Sequence, residues 1–150
     1  MANTRLAWLL TAALCLSAGA AHAQFAMVPA PQSAAAPAPS AADTTDSYKK
    51  DAARHLYGAY ASQIYRGKLP PLLFGIAIVE TRLDDKGNVI DVAVLRPPAA
   101  KEVGPWVVQL IKSASPFPAP ARLGLMRFTE IWLVDKSGRF QLDTLTEGQN

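Results

Sequence analysis

The chain has 150 residues, half of them hydrophobic, with a formal charge of +3 and a single cysteine. That length fits one domain with a buried core. The charge is too weak a bias for a nucleic-acid binder, and one cysteine excludes a disulfide framework or a thiolate metal centre.

Residues 1–23 begin with one charge, Arg5, continue with an apolar run over 6–20, and end on Ala21-His22-Ala23. A charged start, a short apolar core and a small-residue site predict a secretory signal peptide cleaved after Ala23. The alternative is a retained anchor. Residues 6–28 carry no charge and reach the roughly 20 residues that a bilayer requires. Gly19, His22 and Gln24 in its second half argue for cleavage. Cys15 and Arg5 leave with the signal, and the formal charge falls by one to +2.

Residues 24–45 read as a linker. From 24 to 42 they are mostly Ala, Pro and Ser without charge, a composition that stays semi-extended and builds no core. At about 3.1 Å per residue it would reach at most about 60 Å. The folded domain is then expected over 46–146.

Ala53, Leu56, Tyr57, Tyr60, Ile64 and Tyr65 recur at helical spacing and predict a helix over 47–66, capped by Asp46 or Ser47. Gly67 and Pro70-Pro71 forbid continuation. Its three tyrosines fit an aromatic stripe packed on a sheet better than a ligand surface.

Two β-branched apolar runs, 74–83 and 89–96, flank Asp84-Asp85-Lys86-Gly87. This predicts a hairpin with Gly87 at positive φ, where a Cβ would clash. Ile90, Val92 and Val94 read as the inward face. Val89 and Leu95 are apolar too, and a bulge near the turn would reconcile the pattern, its exact place left open. Pro97-Pro98 ends the strand.

A second helix over 103–113 takes Pro105 in its first turn and offers Trp106, Val107, Leu110, Ile111 and Ala114 as one apolar face. Pro116-Phe117-Pro118 suits neither helix nor central strand, and Phe117 reads as a rigid peg under the sheet. A third strand spans 126–134. Asp135-Lys136-Ser137-Gly138 repeats the first turn's chemistry, with Gly138 at positive φ, and a short fourth strand over 140–144 pairs back on the third.

The order of these elements resembles the C-terminal domain of the TonB family, with TolA-type domains sharing the shape. The likeness covers residues 50–145. It rests on the strand 79–94 with its Asp84–Gly87 turn and Val89-x-Asp91-Val92-x-Val94, the helix 106–114, Pro116-Phe117-Pro118, and the strand 128–134. The resemblance implies an α+β fold: an antiparallel sheet of three to four strands, order two-one-three with four beyond, and two helices on one face. It implies a periplasmic protein that docks an extended segment of an outer-membrane transporter by strand addition beside strand three. The implied docking residues are Arg127, Phe128, Thr129, Glu130, Ile131, Trp132 and Leu133. Strand four would cover that edge as a built-in competitor.

The chain departs from the family in three ways: a cleavable N-terminus, Ser17 and His22 five residues apart where the family's anchor has one helical turn between them, and a short spacer without Lys/Glu-Pro alternation. An alternative therefore stands: a structural or assembly protein of the envelope, uncoupled from any motor. Cleavage predicts a periplasmic product; retention predicts one anchored in the inner membrane and facing the periplasm. A homodimer through a free sheet edge is a further expectation.

No enzyme is expected. After cleavage His55 is the only histidine, so no metal site follows. Asp84 and Asp85 suit turn duty, and Arg127 with Glu130 suits a surface ion pair or the docking edge. No Gly-x-Ser-x-Gly or phosphate loop occurs. The expected partner is a protein, with no cofactor, small-molecule substrate or nucleic acid.

Overall fold

The structure, a computed structural model, describes residues 25–32 and 35–149. The element order is α1 (Thr45–Ala59), β1 (Gly75–Leu83), β2 (Val89–Arg96), α2 (Val103–Ser113), β3 (Met126–Val134) and β4 (Phe140–Leu142). Short 3-10 turns occupy Ala61–Gln63 and Asp143–Leu145. The strands form one antiparallel sheet in the order β2-β1-β3-β4, with the helices on one face, the arrangement that the resemblance implies. The predicted signal peptide lies outside the described residues. Among the described residues no helix is long and apolar enough to cross a membrane.

The two helices obey different rules. α2 begins and ends where its proline and apolar spacing predict, and Trp106, Val107, Leu110 and Ile111 are buried. α1 is capped by Thr44, not by Asp46 or Ser47. Thr44 Oγ1 accepts from the Ser47 N–H, and Ser47 Oγ accepts from the Thr44 N–H. The box satisfies two amides that the first turn would otherwise leave open. α1 also stops at Ala59, not at residue 66. Tyr60 leaves helical geometry, its ring buried and its hydroxyl donating to the Leu110 carbonyl at 2.8 Å. Ile64 and Tyr65, which extend the apolar spacing, pair instead beside β4: the Tyr65 N–H donates to the Phe140 carbonyl at 2.9 Å.

The sheet's helix-facing side takes Ala77, Val79, Thr81 and Leu83 from β1 and Met126, Phe128, Glu130, Trp132 and Val134 from β3. Two register shifts interrupt the β1–β2 ladder, at Ile90 and at Leu95. Val92 and Val94 keep the inward face opposite Thr81 and Val79, but Ile90 is bulged out and 53% exposed, against the expectation. An extra residue that breaks the ladder and twists an edge strand is a common guard against sheet-to-sheet pairing.

The β1–β2 turn is tied to the Pro116-Phe117-Pro118 segment. Gly87 has φ +86°, and its carbonyl accepts from the Phe117 N–H at 2.8 Å. A Cβ there would sit 2.0 Å from the Phe117 carbonyl oxygen. Glycine is thus required twice, for its φ and for close approach. Phe117 is buried between His55 and Phe128. Gly138 takes φ +77° in the β3–β4 turn.

The described part of the Ala/Pro-rich stretch holds neither helix nor strand, and it is docked on the domain. Phe25 is 6% exposed, stacked on Phe74 and edge-on to Trp106. The Gln32 N–H donates to the Ala59 carbonyl, and the Ser40 N–H to the Ala119 carbonyl. Ser40 Oγ donates to Asp51 Oδ2 at 2.6 Å. Uncharged Ala and Pro give no sign of this, because backbone amides, one aromatic ring and the Ser40 and Gln32 side chains make the attachment.

Candidate functional site

The β3–β4 hairpin determines which backbone groups of β3 are exposed. The Asp135 N–H donates to the Arg139 carbonyl across the turn. Antiparallel strands alternate the direction of their backbone groups residue by residue. Leu133, Ile131, Thr129 and Arg127 therefore also point their N–H and C=O away from β1. β4 pairs with Trp132, Leu133 and Val134 only. The fourth strand thus guards one end of the edge and not the whole of 127–133, because the chain turns into the 3-10 turn Asp143–Leu145 directly after Leu142.

Glu130 determines how far the opening extends. Its side chain is on the helix-facing side, 4% exposed. Oε1 accepts from the Ile131 N–H at 3.0 Å and from the Thr144 N–H at 3.3 Å. One carboxylate thus occupies an edge amide and pins the C-terminal turn beside β3. Burial pushes this carboxyl above the ordinary glutamate range, opposed by the Thr144 and Ile131 donors and by the charge of Lys49. Among the described residues, no strand pairs with the outer backbone of Arg127 and Thr129. Leu125, 76% exposed, stands at the entrance to this stretch.

The seven residues expected to dock a partner therefore divide. Arg127 and Thr129 present free backbone and open-face side chains. Ile131 has its N–H occupied. Leu133 is paired with Gln141. Phe128, Glu130 and Trp132 are buried towards the helices. Arg127 and Glu130 do not form an ion pair, since neighbours in a strand face opposite ways; Arg127 Nε instead meets Glu80 Oε1 at 3.7 Å. The open face also carries Ile76, Ile78, Ile131 and Leu133 as neighbours across β1 and β3. Nothing in the sequence points to the part of Glu130, because a glutamate in a strand reads as surface.

The remaining polar groups serve the fold. Asp84 accepts from the Asn88 side chain and from the Lys86 and Asn88 amides, which hold its carboxyl below the usual range. His55 Nε2 is 2.7 Å from the Ala114 carbonyl, which requires the ring to donate there. Among the described residues no group of three His, Cys, Asp or Glu is placed to hold a metal. Compared with protein-family models, with curated proteins and with solved structures, the chain matches none.

Proposed function

We propose that this protein is a binding module of the cell envelope that accepts an extended segment of a protein partner as an added strand on the outer edge of β3. The observation that carries the reading is the unpaired outer backbone of Arg127 and Thr129, beside a β4 that stops short of them. A strand added there would gain main-chain hydrogen bonds from both residues, with specificity from alternate side chains on the two sheet faces. Exposed Leu125 offers an apolar first contact. The TonB-like order of elements supports an outer-membrane transporter as the partner and the periplasm as the compartment.

One observation favours the motor-uncoupled alternative. The stretch that would serve as a spacer is in part spent on the domain itself, from Phe25 to Ser40. A strap held this way does not reach across an envelope.

Thr129→Pro tests the docking edge. Proline removes the outward N–H while sparing the bonds to β1, an arrangement that a sheet tolerates. A photo-crosslinker at Arg127 in living cells should capture a partner protein, and Thr129→Pro should abolish that capture with the fold intact. Capture undiminished by the proline would refute strand addition at this edge.

A further inference from the structure

The loop between α1 and β1 builds a second feature, independent of the β3 edge. After the 3-10 turn Ala61–Gln63 the chain runs alongside β4, bridged at Ile64 and Phe140. Gln141, 1% exposed, fixes it there. Its Nε2 donates to the Tyr65 carbonyl at 2.8 Å and to the Gly67 carbonyl at 2.7 Å. Its Oε1 accepts from Thr146 Oγ1 and the Glu147 N–H. A buried amide with donors and acceptor all used is a rigid support. It clamps the backbone on both sides of Arg66. Arg139 precedes Phe140, whose carbonyl holds Tyr65.

Arg66 and Arg139 consequently line one concavity of about 310 Å³, with Ser62 and Tyr65 in its wall. Neither arginine has an ion-pair partner among the described residues, where the arginine pairs are Arg54–Asp51 and Arg127–Glu80. Glu147 accepts from the Gly67 N–H through Oε1 at 3.2 Å and forms no ion pair with either arginine among the described residues. Both arginines are exposed and line the same hollow, so one anion can engage both. A phosphate dianion matches both charges and the forked donors of each. The Ser62 hydroxyl accepts from Gln32 Nε2 at 3.2 Å and keeps its own proton to donate inward.

We propose that this concavity is a phosphate-binding site, with Arg66 and Arg139 as the paired ligands and Ser62 as a third donor. Its volume leaves room for the organic group that carries the phosphate. The phosphate is that of a soluble ester or of a lipid headgroup.

The test titrates the full chain with inorganic phosphate against sodium chloride at matched ionic strength, following the arginine Nε–H resonances by NMR. Saturable shifts at Arg66 and Arg139, absent with chloride, are expected. Arg66→Gln and Arg139→Gln should each weaken binding about tenfold or more, the loss of a hydrogen-bonded charge pair. Arg66→Lys should rescue only in part, because lysine keeps the charge and loses the fork. Arg54→Gln, an exposed arginine elsewhere, should change nothing. Unchanged thermal melts separate lost ligation from lost fold. Co-sedimentation with phosphatidylcholine vesicles carrying phosphatidic acid distinguishes the two sources: binding lost in the double Gln variant assigns the headgroup, and phosphate titration without vesicle binding assigns a soluble ester. Shifts that chloride reproduces, or that survive in the double variant, would overturn the site.

Discussion

Gly87→Ala measures how firmly the first turn is tied to the segment around Phe117. The new Cβ would lie 2.0 Å from the Phe117 carbonyl oxygen and 2.9 Å from its carbon. Both are backbone atoms and cannot rotate away. A side chain at φ +86° costs about 1–3 kcal/mol by itself. Turn and segment must also part, which breaks the Phe117-to-Gly87 hydrogen bond, a further 0.5–1.5 kcal/mol or so. The expected loss is about 2–4 kcal/mol. Gly67→Ala is the control: φ is +77°, and a Cβ there meets nothing within 4 Å. It should show the conformational cost alone. Urea unfolding of both variants gives the difference, provided that their slopes agree. A gap of about 1 kcal/mol or more in the stated direction supports the reasoning. Equal losses would show that the close approach of Gly87 to Phe117 is not a constraint.

Phe117→Ala should cost about 3–5 kcal/mol, since the ring is enclosed by His55 and Phe128; a near-neutral melt would mean that the ring is not core. Phe25→Ala should cost about 3 kcal/mol if the N-terminal strap is docked, and an unchanged melting temperature would restore the free-spacer reading. Glu130 has a raised folded pKa, so its favourable contribution is present below the unfolded value and is lost as pH rises through the folded one. Glu130→Gln keeps an acceptor for the Ile131 and Thr144 amides without the charge. The variant should therefore gain stability over the native chain as pH rises above 4.5, and a relative loss over that range, read by melts at several pH values, would contradict the assignment.

Much of the sheet was legible because its cues are local. Gly87 and Gly138 stand where their turns need positive φ, Pro97-Pro98 and Pro105 bound β2 and α2, and β3 spans the 126–134 that the sequence predicts. What escaped depends on distant partners. Tyr60, Ile64 and Tyr65 have helical spacing, yet Leu110 and Phe140 draw them out of the helix. A bulge near the turn was readable and falls at Ile90, but its exact place and the second shift at Leu95 are set by the register against β1. In the candidate site the strand itself was readable from the sequence, and its edge position only through the family resemblance. The short reach of β4 and the Glu130 carboxylate across Ile131 were not, since both depend on how the C-terminal turn packs against α1.

Amide hydrogen exchange along β3 tests the central claim most directly. The Phe128 and Glu130 amides face β1 and should exchange slowly. Leu133, paired with Gln141, should also be slow. Arg127 and Thr129 should exchange fast in the free protein and become protected when a partner segment is bound. Slow exchange at Arg127 and Thr129 in the free protein, equal to that of Phe128 and Glu130, would mean that the edge is already covered and would contradict strand addition there.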